Sequence, residues 1–159
     1  MIPMKVIKLA PMSEAEISKA ITDHNLCRIA FIDDAYPYIS PFQYVCINNN
    51  LFFHFTDYGK KMKILSNNQN VCVSIEEFKP DLSSYYFISI QGKLKQVEDD
   101  KLKMKVMKEM AELASKNYSK NFLLAHGFQK EKKWDILTSK NQIIYKLLVI
   151  NNPIGLKSF

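Results

Sequence analysis

The segment from Leu51 to Leu65 constrains the fold of this chain more than any other, because it predicts a strand that runs directly into a helix. Its first part, Leu51 to Phe55, is aromatic and apolar, as a largely buried strand would be. Thr56 and Asp57 can then cap a helix, since short polar side chains accept hydrogen bonds from the first free amides. We therefore expect a strand-to-helix corner at this point.

This corner has the features of an anion-binding site. A helix N-terminus offers unpaired N–H groups and the positive end of the helix dipole. Gly59 lets a ligand approach the backbone closely, and Lys60 and Lys61 add full positive charge to the same turn. The alternative, in which the two lysines only flank a surface helix, stays open on this evidence.

Length and composition favour one packed globular domain over residues 1–159. The hydrophobic fraction is 47% and the aromatic fraction 12%, which argues against disorder in a chain of this length. The apolar runs are too short to span a membrane. The N-terminus lacks the pattern of a secretory signal, so a cytoplasmic protein is expected.

Cysteine and histidine usage predicts no metal site. The cysteines lie on predicted strands without Cys-x-x-Cys spacing, which favours buried reduced thiols, and they are Cys27, Cys46 and Cys72. The histidines are scattered without the spacing of metal ligands, and they are His24, His54 and His126.

The formal charge of +6 raises the question of a nucleic-acid partner. Much of the excess lies between Lys101 and Lys108 and between Lys130 and Lys133. In the first of these segments the lysines fall on one side of a predicted helix whose other side is apolar. This spacing favours a solvated helix face over a nucleic-acid-binding surface.

Six segments have the character of strands: Cys27–Asp33, Tyr38–Ile47, Leu51–Phe55, Val71–Phe78, Tyr85–Val97 and Gln142–Ile150. Helices are predicted at three connections: Ser13–Asn25, Gly59–Ser66 and from Glu98 towards Ala114. Residues 116–139 are hard to interpret, with a short helix around Phe122. Strands in mostly hairpin order favour an α+β, mainly β fold, a small six-stranded antiparallel barrel with flanking helices.

Two local details of this pattern are specific. Pro41 has no amide donor, so it belongs at an edge or a bulge of the second strand. Asn48, Asn49 and Asn50 predict a tight hairpin turn, because Asn tolerates positive φ.

The corner and its flanks resemble the FMN-binding split barrels, the superfamily of pyridoxamine 5′-phosphate oxidase and of the nitroimidazole-resistance proteins. That family shows an aromatic pair, His, a small residue and a short polar stretch before Gly-[Arg/Lys]-Lys. The corresponding residues here run from Phe52-Phe53-His54 to Gly59-Lys60-Lys61. Further similar segments are Arg28–Asp34, Pro37–Phe42, Asn70–Glu76 and Phe87–Leu94. The resemblance selects the split barrel from among α+β sheets.

The resemblance implies that the cofactor is FMN and that the strand-to-helix corner holds its phosphate. The residues implied at the phosphate are Thr56, Gly59, Lys60 and Lys61, with Lys61 aligned to the phosphate-binding lysine of the family. Those implied along the flavin are Ser40, Pro41, Phe42, Gln43, His54 and Phe55.

The resemblance also implies an FMN-dependent oxidoreductase that reduces a small nitroaromatic- or quinone-like acceptor. His54 is the implied catalytic residue and proton donor, and a core histidine satisfied by one hydrogen bond is the alternative. A flavin- or haem-binding carrier or sensor without turnover is the competing hypothesis. The chain lacks the C-terminal Trp and Arg pattern of true pyridoxamine phosphate oxidases, which argues against vitamin B6 oxidation.

The family further implies a homodimer with the flavin at the subunit interface. Aromatic residues are enriched in such interfaces, and the candidates here are Phe42, Tyr85 and Tyr86.

Overall fold

The computed structural model describes residues 7–125 and 142–159, and its main feature is a closed antiparallel barrel. The strands in these residues are β1 (Ala10–Pro11), β2 (Leu26–Asp33), β3 (Tyr36–Ile47), β4 (Asn50–Phe55), β5 (Asn70–Phe78), β6 (Tyr85–Gln96), β7 (Ile143–Val149) and β8 (Ile154–Lys157). The barrel order is β6-β5-β2-β3-β4-β7, and β7 pairs back with β6 to close it. The predicted six-stranded split barrel is therefore confirmed, with each predicted strand in place.

Helices flank the barrel at its connections: α1 (Glu14–Asp23), α2 (Lys60–Asn67), α3 (Asp100–Asn117) and α4 (Lys120–Ala125). The sequence predicts the first three, and α4 is the expected short helix around Phe122. The rest of the segment that is hard to interpret, residues 126–139, lies outside the described residues. None of the helices in the described ranges has the length and hydropathy that a membrane crossing requires.

Two local predictions are confirmed on β3 and at its end. Asn48 and Asn49 have φ values of 49° and 60°, as a tight hairpin between β3 and β4 requires. Pro41 pairs with Arg28 of β2, whereas the pairing of β3 with β4 begins only at Tyr44. The missing amide of Pro41 therefore falls where β3 has a neighbouring strand on one side.

The core has two parts, one inside the barrel and one outside it. Alternate residues of the strands fill the interior with fully buried side chains such as Phe31, Tyr44, Phe53, Ile75, Ile90 and Leu147. Burying an aliphatic or aromatic side chain of this size contributes about 1.5–3 kcal/mol. The second cluster packs α3 on the outer face of β3, β4 and β7 through Val45, Phe52, Val106, Met107, Met110 and Ile144. This packing positions α3 beside the strand-to-helix corner.

The C-terminal residues add a strand that the sequence pattern did not indicate. β8 pairs with β1 on one side and with β6 on the other. Gly155 lies close to α1, since a Cβ atom there would come within 2.9 Å of Ile17 Cγ1. The Nζ atom of Lys157 also contacts the carboxylate of Glu16. The C-terminal segment thus holds α1 against the barrel.

The three cysteines are free thiols, as the sequence indicated. Cys27 is buried, and this burial raises the pKa of its thiol to about 12, so the thiol stays protonated near neutral pH. Cys46 and Cys72 are half-buried.

Candidate functional site

The strand-to-helix corner exists, but its helix begins without a side-chain cap. The N-cap of α2 is Gly59, with φ 96° and ψ −179°, and no side chain accepts a hydrogen bond from its first turn. The expectation that Thr56 and Asp57 cap this helix is therefore wrong. Thr56 lies too far before the first turn, and its Oγ1 donates to the carbonyl of Tyr58 at 3.0 Å instead. The first amides of α2 thus have no side-chain acceptor among the described residues.

A cavity of about 620 Å³ lies beside this corner, between the β3–β4 edge, the start of α2, and α3. Its described lining comes from six elements and their connections: Leu26, Pro41, Phe42, Gln43, His54, Phe55, Thr56, Tyr58, Lys61, Met107, Met110, Ala111 and Phe122. The lining is mostly apolar, and it includes several aromatic rings. Such a lining with a few convergent polar groups is typical of a small-molecule site.

Most of the predicted site residues meet in this cavity. Those that line it are Pro41, Phe42, Gln43, His54, Phe55, Thr56 and Lys61. Ser40, Gly59 and Lys60 are not part of the lining. Ser40 is buried on the interior side of β3, and Gly59 contributes to the corner through its backbone.

The structure separates the two adjacent lysines of the corner. Lys60 Nζ lies 2.9 Å from a carboxylate oxygen of Asp33 and 4.9 Å from the ring centroid of Tyr38. Lys61 Nζ lies 5.1 Å from the ring centroid of Phe42, and Lys61 lines the cavity. Lys61 is the charged side chain of the described lining, whereas the charge of Lys60 is paired elsewhere.

Aromatic rings form the floor beneath Lys61. The ring centroids of Phe42 and Phe55 are 4.8 Å apart, and those of Phe55 and Tyr145 are also 4.8 Å apart. A cation above an aromatic face is stabilised by about 0.5–1 kcal/mol at partly exposed sites. Lys61 therefore has a defined position at the cavity wall without a carboxylate partner among the described residues.

His54 also lines the cavity, and its ring makes one hydrogen bond among the described residues. Its Nε2 lies 2.6 Å from Oε1 of Gln142. Burial lowers the pKa of His54, and the hydrogen bond to Gln142 Oε1 opposes this shift more weakly, so the ring is neutral near pH 7. His54 thus has the hydrogen bond of a satisfied core histidine and also lines the cavity, as a functional residue would.

The wall formed by α3 could not be found from the sequence. Met107, Met110 and Ala111 lie on the apolar side of α3, and nothing in that stripe indicates which strands it covers. Gln43 fixes the wall, because its Nε2 donates to the carbonyl of Met110 at 3.1 Å. The family pattern suggested Gln43 but gave no indication of its partner.

An exposed, mainly apolar patch lies on the outer face of β2 and β3, with Arg28 between Leu26 and its other members. Its members are Leu26, Ile32 and Ile39, which are 54%, 49% and 59% exposed. Leu26 belongs both to this patch and to the cavity lining. Phe42, a predicted dimer contact, is 92% buried within its own barrel, because its side chain points from β3 into the barrel interior. Exposed apolar residues that are grouped, such as Leu26, Ile32 and Ile39, mark interaction surfaces.

Comparison with known proteins identifies the family. A family model described as pyridoxamine 5′-phosphate oxidase matches residues 13–135. No curated protein matches the chain by sequence at a significant level.

Three solved structures share the fold at low sequence identity. A FAD-binding protein from Mesorhizobium loti is 16% identical with a TM-score of 0.67, covering 94% of this chain and 96% of the other. A candidate 5-nitroimidazole antibiotic resistance protein from Bacteroides thetaiotaomicron is 19% identical with a TM-score of 0.65, covering 94% and 87%. The haem storage protein HutZ from Vibrio cholerae is 17% identical with a TM-score of 0.65, covering 92% and 95%.

Proposed function

The chain belongs to the pyridoxamine 5′-phosphate oxidase family, and we propose that it is a flavoprotein that binds FMN in the cavity beside α2. The observation that carries this proposal is the position of Lys61, a cation without a carboxylate partner among the described residues, beside a helix start whose amides have no side-chain cap there. Together these groups suit a terminal phosphate, since a helix N-terminus and a lysine both favour negative charge.

The chemistry of the lining fits FMN at both ends. Thr56, Lys61 and the first amides of α2 would hold the phosphate. Apolar and aromatic side chains would cover the ring, and they are Phe42, Phe55, Met107, Met110 and Phe122. The described lining contains no carboxylate that would repel a phosphate. The pairing of Lys60 with Asp33 leaves Lys61 as the stronger phosphate ligand of the two.

We infer further that the protein passes electrons to a small, planar organic acceptor, nitroaromatic- or quinone-like. Bound FMN would supply two-electron redox chemistry, while the chain supplies position and access. The apolar wall from α3 would exclude water, and His54 would hold or move a proton at the edge of the cavity. The apolar lining supports a small uncharged acceptor over a highly charged one.

Flavin titration tests the binding proposal. We expect fluorescence titration to give tighter binding of FMN than of riboflavin, because only FMN carries a phosphate. Equal affinity for the two would reject the phosphate assignment. Stopped-flow mixing of the photoreduced protein with a nitroaromatic or a quinone tests turnover, and a rate no faster than that of free FMN would favour a carrier role.

A homodimer with the flavin at the interface is the second part of the proposal. The patch of Leu26, Ile32 and Ile39 supports it, because a contact there would also cover the rim of the cavity. Light scattering of the flavin-loaded protein should give twice the chain mass, and Ile39→Lys should shift it towards the monomer. A monomer that retains flavin would reject this part.

A haem-binding carrier is the other candidate function. The observation that favours it is the neutral imidazole of His54 in a largely apolar cavity, which is a common setting for an iron ligand. The visible spectrum of the purified protein separates the two, since bound flavin and bound haem absorb differently.

A further inference from the structure

A side-chain hydrogen bond joins His54 of β4 to Gln142, the residue just before β7. His54 lies on β4 opposite Ile144 of β7, and Gln142 immediately precedes β7. The distance from His54 Nε2 to Gln142 Oε1 is 2.6 Å, and both residues are partly buried. Because β4 pairs with β7 up to Ile143, the residue next to Gln142, the barrel brings the two side chains together and the hydrogen bond orients the imidazole ring.

The partner atom determines which ring nitrogen carries the proton. The amide oxygen of Gln142 faces the ring, and because an amide oxygen only accepts hydrogen bonds, this contact assigns the proton to Nε2 of His54. In a neutral ring the unshared electron pair then lies on Nδ1. Within the described ranges, Nδ1 of His54 has no hydrogen-bond partner.

The other groups around the cavity do not change this assignment. The further titratable side chains of the described lining are Tyr58, next to α2, and Lys61 on α2. α3 contributes Met107, Met110 and Ala111, which carry no charge. A carboxylate that could stabilise an imidazolium is missing from the described lining, and the neutral amide of Gln142 does not provide one.

We propose that Gln142 is a positioning residue that holds the Nε2 proton of His54, so that Nδ1 accepts a hydrogen bond from an N–H or O–H group of the bound ligand. The identity of that ligand, the flavin or its reaction partner, rests on the proposed function. Which ring nitrogen of His54 carries the proton does not depend on the proposed function, because it follows from the contact with Gln142 alone.

This polarity sets a preference among ligands. A ligand with an N–H or O–H group at this point pairs with Nδ1, whereas one with only acceptor atoms covers Nδ1 and leaves it without a partner. Sites built to hydrogen-bond a polar group discriminate strongly against analogues that lack it. We expect at least a tenfold preference, the order of magnitude of one lost hydrogen bond to a buried group.

The test uses nitrogen NMR of the histidine rings in the ligand-free full chain. In the wild type we expect Nε2 of His54 protonated and Nδ1 unprotonated at pH 7. Gln142→Glu places a carboxylate at the contact and should raise the titration midpoint of His54 by at least about one pH unit, tenfold in proton affinity. Gln142→Met removes the acceptor and should give a mixture of both neutral tautomers.

Gln91→Glu is the matched control, since Gln91 is also an amide whose Oε1 accepts a hydrogen bond, from Asn151, on the exposed face of β6. It adds the same charge away from His54 and should leave the titration of His54 at its wild-type midpoint. A midpoint that rises equally in both glutamate variants would overturn the role of Gln142. A wild-type ring protonated on Nδ1 would overturn the proposal without any variant.

Ligand addition separates this inference from the proposed function. Saturation with FMN, alone and then with an acceptor analogue, should shift the Nδ1 resonance in the direction of an accepted hydrogen bond. If FMN binds and neither addition moves Nδ1, the ligand contact is rejected while the proposed function stands. If FMN does not bind and the wild-type ring is protonated on Nε2, the proposed function fails and the assigned role of Gln142 is supported.

Discussion

α1 and α2 begin in opposite ways. At the start of α1, Ser13 Oγ accepts from the amide of Glu16 at 3.2 Å, and Glu16 Oε2 accepts from the amide of Ser13 at 2.8 Å. At the start of α2, Gly59 offers no side chain at all. A reciprocal cap stabilises a helix by about 1 kcal/mol, and α2 lacks that contribution where it borders the cavity. The capped helix serves stability, whereas the uncapped one leaves its amides available for a ligand.

The same contrast recurs between neighbouring residues at the start of α2. Lys60 pairs with Asp33 and lies over Tyr38, so its contacts hold the helix against β2 and β3. Lys61 lies over Phe42 at the cavity wall. Lys60 thus contributes to packing, whereas Lys61 has no carboxylate partner in the part of the chain that the structure describes, which makes them a matched pair for experiments.

The largest effect is expected from His54→Gln, with His24→Gln as its counterpart near α1. If His54 moves a proton, the variant should keep FMN and slow acceptor reduction by about 100- to 10,000-fold in stopped-flow mixing. His24 lies at the end of α1, with Nε2 3.0 Å from Glu77, so His24→Gln should change stability and not turnover. Reoxidation of the His54 variant at the wild-type rate would make His54 a structural residue.

Lys61→Ala and Lys60→Ala should separate the two lysines. Loss of the Lys61 charge should weaken FMN binding by about 1.5–3 kcal/mol, the range for a hydrogen bond to a charged group, and leave riboflavin binding unchanged. Lys60→Ala should change FMN affinity much less, because its charge is paired with Asp33. Titration of both flavins with both variants measures this, and equal losses would contradict the separation.

Gly59→Ala and Gly155→Ala should both destabilise the fold, for different reasons. Gly59 has open space around it but φ 96°, a conformation that costs other residues about 1–3 kcal/mol. At position 155, the Cβ atom of an alanine would instead crowd Ile17 of α1. Chemical denaturation should show a loss in both, and only Gly59→Ala should also weaken FMN. A normal FMN affinity in that variant would mean that the geometry of the corner is not needed for binding.

The smallest effect is expected from Ser13→Ala, which removes the cap of α1. The free energy of unfolding should fall by about 1 kcal/mol, since one first-turn amide loses its acceptor. FMN affinity should stay at the wild-type value, because α1 does not contribute to the described lining of the cavity. A change in affinity would show that the two helix starts are coupled through the barrel.

Local features were predictable where a few adjacent residues carry the physical cause. The start of α1 at Ser13 and the asparagine turn after Ile47 each depend on a short stretch of chain. The cap of α2 was mispredicted because Thr56 and Asp57 have the right chemistry but lie before the residue where the helix begins. Capping propensity identifies residues that can cap a helix, but only the backbone geometry decides at which residue the helix begins.

The sequence alone determined the strand order along the chain, the family pattern and the residue types at the corner, because periodicity and motif spacing are local properties. Only the tertiary structure decided that Asp33 forms an ion pair with Lys60 and that Phe42 lies under Lys61. It also decided that Gln142 forms a hydrogen bond with His54. It also decided that α3 closes the cavity with its methionines. These contacts join residues far apart in the chain, and they form only when barrel closure brings β2, β3, β4 and β7 together.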